Sequence, residues 1–174
     1  LPWRQDELTQ RGHAVECRVY AEDPAQGFLP QAGTLLRYRE PSGPGIRVDS
    51  GVVEGGAVSV YYDPMLAKLI TWGETRAASL ARAREALSRF EILGVRTNLH
   101  FLRAVLDHPD FVAGQIDTGF LGRELETLTA DSGLPPALAA AAAWHAAQGP
   151  SVTAGPAAAA PSTDPFDTLR GWRG

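Results

Sequence analysis

Apolar and polar positions alternate most sharply over Gly12–Asp23, GHAVECRVYAED. Val15, Cys17 and Val19 fall on one side of an extended chain, while Ala14, Glu16, Arg18 and Tyr20 fall on the other. A period of two carried by β-branched and aromatic residues predicts a half-buried strand. Glu16 and Arg18 share the polar face. They read either as a pair solvated by water, the commoner fate of a polar sheet face, or as the edge of a site.

The same period recurs downstream, divided by turn residues at Asp23-Pro24, Gly27, Pro30 and Gly33. Thr34–Arg39 reads as a second strand, and a rigid Pro41–Gly45 turn leads to a third in which Ile46 and Val48 alternate with Arg47 and Asp49. Gly51, Gly55 and Gly56 precede a strand over Val58–Tyr62. Leu66–Trp72 is another, with Leu66, Ile70 and Trp72 beside Lys68 on one face; Met65 and the Trp72 ring read as core packing.

After Gly73 the period lengthens. Thr75 can cap a helix in which Leu80, Ala83, Leu87 and Phe90 form one apolar stripe. Arg76, Arg82, Arg84 and Arg89 decorate the remainder as a solvated face, and Gly94 is expected to end the helix. Thr97 or Asn98 starts a second helix with Leu99, Leu102, Val105 and Leu106 inward and Pro109 just beyond it. Strands followed by two helices favour an α+β fold, an antiparallel sheet with two packed helices, over a doubly wound parallel sheet. Near Arg123 the composition shifts. Leu134–Gln148 reads as an alanine-rich helix opened by Pro135-Pro136, Gly149–Pro161 as a flexible linker, and Asp164–Gly174, DPFDTLRGWRG, restores aromatics.

Composition narrows the function. At 174 residues and 44% hydrophobic content, the chain suits one domain with an extension. A net charge of −4 with scattered arginines argues against a nucleic-acid partner. The apolar run Ala137–Ala147, interrupted by Trp144 and His145, is too short to span a membrane, and Leu1–Gln10 carries no secretory signal. One cysteine excludes an internal disulfide and points to a cytosolic-type compartment, and four scattered histidines offer no metal-ligand spacing. Cys17 reads as a small core residue, and His13 and His100 as ordinary ones. The first residue is not methionine, so the chain is expected to be a piece of a longer protein.

GHAVECRVYAEDP, GFLPQAGTL, GIRVDSGV, YYDPMLAKLI and LGVRTNLHFL follow one another along the chain. This series resembles the C-terminal domain of biotin carboxylase, the ATP-dependent component of biotin-dependent acyl-CoA carboxylases, over about Gln10 to Arg123. The resemblance implies a partial barrel with two packed helices. The alanine-rich helix, the linker and DPFDTLRGWRG resemble the region after the carboxylase in α subunits of the methylcrotonyl-CoA and propionyl-CoA types, where a small β-barrel bridges the α and β subunits. The implied organisation is the end of an ATP-grasp region over 1–9, the carboxylase domain over 10–123, a helix over 124–148, a linker over 149–163 and the start of the bridging barrel over 164–174.

The resemblance also implies roles. Arg18 matches the family arginine that reaches the ureido oxygen of biotin. Carboxylation at N1 needs a deprotonated ureido group whose charge develops on that oxygen, and a planar cation that never deprotonates can stabilise it. Asp63 matches the aspartate that pairs with this arginine when the site is empty; its other reading is a turn with Pro64. Tyr61 and Tyr62 would pack around the pair, and Glu16 would support it.

Thr118 stands near the position whose side chain covers the ATP adenine, although Ile116–Gly119 departs from the pattern of some members. Pro44 and Arg47 match a turn and strand of a bacterial homodimer interface; Arg47 reads equally as a strand-edge charge. ATP with Mg2+ or Mn2+ and bicarbonate would be held by the preceding ATP-grasp domain, since the chain has no GxxxxGK[ST] loop. The biotin-bearing lysine would lie on a separate carrier domain, because Lys68 is the only lysine and has no Met-Lys-Met setting. The implied partners are those two domains and a carboxyltransferase β subunit, with no membrane, in the cytoplasm or, in a eukaryote, the mitochondrial matrix. Two other readings are a non-catalytic docking module and the lid of a different ATP-grasp ligase. ECR followed by YYDPMLAKLI argues against the lid.

Overall fold

The computed structural model describes residues 2–130 together with 140, 142–144 and 146. The chain divides into two compact units, Leu1–Asp131 and Ser132–Gly174. The described residues of the second unit are helical, as the alanine-rich stretch predicts. The linker and the DPFDTLRGWRG tail lie outside the described residues.

The first unit is built on β1 (His13–Tyr20), which pairs antiparallel with β8 (Met65–Gly73); β8 in turn pairs antiparallel with β6 (Ile46–Ser50). The predicted alternation holds in β1: Val15, Cys17 and Val19 are buried, whereas Ala14, Glu16 and Arg18 are exposed. Register carries this division across the sheet, setting Val15 opposite Thr71, Cys17 opposite Leu69 and Arg18 opposite Lys68. A bulge between Val19 and Tyr20 ends the regular pairing. Three two-stranded ladders complete the β structure: β2 (Glu22–Asp23) with β3 (Leu29–Pro30), β4 (Gly33–Thr34) with β7 (Ala57–Val58), and β5 (Arg37–Arg39) with β9 (Glu91–Leu93).

Helix α1 (Arg76–Arg89) covers the inner face of the sheet, and the Thr75 hydroxyl caps it by accepting from the Ala78 amide at 3.2 Å. Leu80, Ala83, Ala86 and Leu87 close over Val15, Cys17 and Leu69, together with Leu106 of α2 (Leu99–Asp107). Between sheet and helix, the buried Thr71 hydroxyl donates to the Ser79 carbonyl and the Ser79 hydroxyl donates to the Thr71 carbonyl, each at 3.1 Å. The two expected helices are thus present, and α3 (Pro109–Ala113) and α4 (Phe120–Thr129) follow them. Phe101, Val105, Phe120 and Leu128 form a separate cluster between α2 and α4.

Several expectations are corrected. The strand over Thr34–Arg39 is divided, because Leu35 turns fully inward and exchanges backbone bonds with Gly55 and Gly56. The strand expected over Val58–Tyr62 stops at Val58, and Val60, Tyr61 and Tyr62 stand exposed, the two tyrosines by more than four-fifths of their surface. In β8 the buried face is Ala67, Leu69 and Thr71, which leaves Trp72 on the outer side, and the bulge sets Met65 opposite Tyr20; both are exposed and not core. Gly94 does not end the helix: α1 stops at Arg89 and β9 intervenes.

The arginines of α1 are not simply solvated either. Arg76 donates to the carbonyls of Phe111 and Val112, and Arg84 donates to that of Leu106 and pairs with Asp107 at 2.6 Å. They meet carbonyls at the C-terminal ends of α3 and α2, that of Phe111 also accepting from the Gly114 amide, where a cation faces the negative end of the helix dipole.

Gly94 sits at φ +109° with its backbone against Thr34, where an added Cβ would lie 2.0 Å from the Thr34 carbonyl oxygen. Gly27 is also left-handed, at φ +65°, but faces open space. Denaturant unfolding should therefore show Gly94→Ala losing more than about 3 kcal/mol, through forced backbone displacement. Gly27→Ala should lose only about 1–2 kcal/mol, the cost of the left-handed conformation alone. Equal losses would contradict the close approach at Gly94.

Candidate functional site

The outer face of the sheet carries the charges. Arg18 projects from β1 with 62% of its side chain exposed, and its Nε donates to Glu16 Oε1 at 3.1 Å. The Glu16 carboxylate and, after it, the Tyr20 phenol hold the Arg18 guanidinium above its ordinary pKa, so the cation is permanent. Cys17, on the buried side, is pushed up to about 11 by burial and then by Glu16, which leaves it a neutral thiol with no nucleophilic role.

Across β1, Lys68 of β8 faces Arg18, and Asp49 of β6 faces Lys68. Arg47 donates to Asp49 from Nε at 2.8 Å and from Nη2 at 3.1 Å, and this pairing, ahead of other influences, holds the Asp49 carboxyl below its usual range.

The free edge of β1 at Arg18 is held by one buried side chain. Asn98 Oδ1 accepts from the Tyr20 amide at 2.9 Å, its Nδ2 donates to the Arg18 carbonyl at 3.1 Å, and its backbone amide donates to the Tyr20 carbonyl at 3.2 Å. Of the two expected starts of α2, Thr97 or Asn98, it is Asn98 that stands at the helix start, but its side chain does not cap the helix and instead supplies β1 with the partners a neighbouring strand would have given. No periodicity in the sequence announces this role.

The other expected residues are placed separately. Asp63 accepts from the Met65 amide at 2.8 Å, and its loop is tied to the end of β1 by the Ala21 amide and the Pro64 carbonyl at 2.9 Å. No Arg18–Asp63 ion pair forms. Glu16, two residues away on the same strand face, meets the guanidinium locally, while the Asp63 carboxylate closes its own turn. Glu22, beside Asp63, has its carboxyl raised by burial first and by the Asp63 charge second. Tyr61 and Tyr62 are exposed and pack around neither group.

Thr118 is exposed in the turn before α4. There Asp117 accepts from the Gly119 amide at 2.9 Å and pairs with Arg123 at 3.0 Å. A cavity of about 180 Å³ lies elsewhere, between Asp23, Arg96, His100 and Leu128. Among the described residues no cluster of His, Cys, Asp or Glu could hold a metal ion, and no helix is long and apolar enough to cross a membrane.

The family model for the biotin carboxylase C-terminal domain matches residues 16–123. The chain belongs to this family.

Two relatives of this biotin carboxylase domain are the mitochondrial methylcrotonoyl-CoA carboxylase subunit alpha of Glycine max and the mitochondrial propionyl-CoA carboxylase alpha chain of Mus musculus. The first is 43% identical over 132 residues, 76% of this chain and 18% of the relative; the second is 49% identical over 123 residues, 70% of this chain and 17% of the relative. The biotin carboxylase domain dimer of Hydrogenobacter thermophilus 2-oxoglutarate carboxylase, solved with MgADP, ADP and bicarbonate, superposes with a TM-score of 0.72 at 36% identity. That match covers 76% of this chain and 29% of the solved one. The chain therefore spans about a fifth of the length of the curated relatives it matches.

Two outcomes test this geometry. Asn98→Ala leaves the Tyr20 amide and the Arg18 carbonyl without partners in a buried place and should lower unfolding free energy by about 2–4 kcal/mol; a loss below about 0.5 kcal/mol would show the clamp to be idle. Asp63→Asn removes a negative charge beside Glu22, so the Glu22 pKa should fall toward its ordinary value. It should stay above that value because burial is the larger cause. A carboxyl-carbon NMR titration reads the shift, and an unmoved or raised pKa would contradict it.

Proposed function

We propose that this domain forms the biotin-facing wall of the active site in the carboxylase component of an acyl-CoA carboxylase, of the methylcrotonyl-CoA or propionyl-CoA type. The observation that carries the reading is Arg18: a permanent cation on a rigid strand, exposed to solvent, with Nε engaged by Glu16. ATP and bicarbonate supply the activated carboxyl group. What this chain contributes is a fixed planar donor for the ureido oxygen of biotin, whose negative charge grows as N1 loses its proton. A guanidinium aimed from a clamped strand needs no reorganisation as that charge develops.

Asp63 is the second residue we assign to the site, as the carboxylate available to Arg18 on release of Glu16. Thr118 is assigned to the adenine side, and the Arg47 region to a homodimer contact. The nucleotide and its Mg2+ or Mn2+ would belong to the preceding ATP-grasp domain, since the described residues hold no fitting metal cluster. The exposed Val60, Tyr61 and Tyr62 offer an apolar surface for that domain. Biotin would arrive on a separate carrier domain, and the carboxyl group would pass to an acyl-CoA on the carboxyltransferase β subunit. The enzyme would work in the cytoplasm or the mitochondrial matrix. This chain alone should be inactive.

The test is carboxylation of free biotin by the full-length protein. Arg18→Ala should lower kcat at least about a hundredfold, the loss expected for one preorganised donor to a developing oxyanion, and Arg18→Lys should recover only a small part of it. Normal carboxylation by Arg18→Ala would sink the reading.

A further inference from the structure

β1 lies at the edge of its sheet, so the far side of its backbone has no strand to bond with. Asn98 serves that side at Arg18 and Tyr20. These are the residue that carries the guanidinium and the residue whose phenol, after Glu16, bears on it. The pairing with β8 loses its regular register at the same place, between Val19 and Tyr20, so β8 does not by itself fix the course of the strand there.

Asparagine is among the best residues for capping a helix, and α2 begins directly after Asn98. Its side chain nevertheless gives both its oxygen and its nitrogen to β1. A local preference set aside in this way is the pattern of a functional site. The turn that bears Asn98 is anchored in its own right: Arg96 Nη1 pairs at 3.3 Å with Oδ2 of the buried Asp23, on the short strand that follows β1.

We propose that Asn98 is a positioning residue for the carboxylation of biotin, acting through Arg18 by fixing the strand segment from which the guanidinium projects. The proposal rests on the biotin reading of Arg18. Asn98 is buried and its side chain bonds to backbone groups of β1, so it acts on the base of Arg18 and not on the ureido group. Its effect falls on how well the guanidinium meets the charge that develops on oxygen, and so on kcat more than on KM.

The experiment is a double-mutant cycle in the full-length protein, built from Asn98→Ala and Arg18→Met. It is read by carboxylation of free biotin and by the ATP cleaved per biotin carboxylated. Asn98→Ala alone should lower kcat about ten- to a hundredfold, as a small misplacement of a catalytic group does, with KM for biotin changed by less than about threefold. The ATP consumed per biotin carboxylated should rise, because an activated carboxyl group that misses biotin is lost to water. Loss of folded protein would lower both activities together and leave that ratio unchanged. In the Arg18→Met background the same substitution should lower kcat by less than about twofold, since the group it positions is gone.

Asn98→Asp keeps the oxygen that accepts from the Tyr20 amide and removes the donor to the Arg18 carbonyl. It runs the same cycle with less disturbance of the fold and should give the same pattern. Equal losses of kcat in the wild-type and Arg18→Met backgrounds, or an unchanged ratio of ATP to carboxylated biotin, would make Asn98 a structural residue and overturn the proposal while the biotin reading stands. Failure of both Asn98 variants to fold would overturn it in the same way. Normal carboxylation by Arg18→Met would overturn both.

Discussion

The pairing of β1 with β8 is the constraint on which the molecule depends. Side chains alternate with a period of two, so a slip of one residue would carry Arg18 and Glu16 into the core and expel Val15, Cys17 and Val19. Burial forbids this. Cys17 and Leu69 lie opposite one another against Leu80, Ala83 and Leu87, and that apolar closure fixes the register as firmly as any hydrogen bond. Arg18 thus gains its outward direction from residues that never touch it. The charged face is a consequence of the packed one.

Much of this was legible in the sequence because it rested on local periodicity. The buried and exposed sides of β1, the stripe of α1 and its Thr75 cap, and the burial of Val105 and Leu106 in α2 follow from spacing, whereas the burial of Phe101 was not foreseen. The misreadings fall where tertiary contacts override the local pattern. Thr34–Arg39 alternates well enough for a strand, yet Leu35 is drawn inward and the strand breaks there. Met65 and Trp72 are large and apolar, but the register set by β1 puts them on the outer face. The arginines of α1 show the natural composition of a solvated face, and only the approach of α2 and α3 reveals the carbonyls they serve. The ECR motif singled out Arg18 as a candidate, but nothing local marked Asn98, which acts across 80 residues of chain.

Asn98 and the α1 arginines solve the same problem at different places. A strand edge and a helix end each leave backbone groups without partners from their own element. The sequence places a side chain with matching donors and acceptors at each. Asn98 presents one acceptor and one donor to β1, and its own amide adds a second donor, in the pattern of an absent strand. Two groups of the Arg18–Tyr20 segment are held by one rigid amide, so the backbone from which Arg18 projects is fixed on both sides, by β8 and by Asn98.

The contrast between that fixed backbone and the exposed tip of Arg18 is what would suit it to the proposed role. Its contact with Glu16 is a solvent-exposed ion pair between near neighbours, a kind that contributes little to stability and exchanges readily. A ligand that competes for the guanidinium therefore gives up little when it displaces Glu16, and the strand beneath need not move. Holding the base of the side chain tightly and its tip loosely separates positioning from occupancy. The direction of the cation comes from the folded sheet, and the choice of its partner is left to whatever anion arrives.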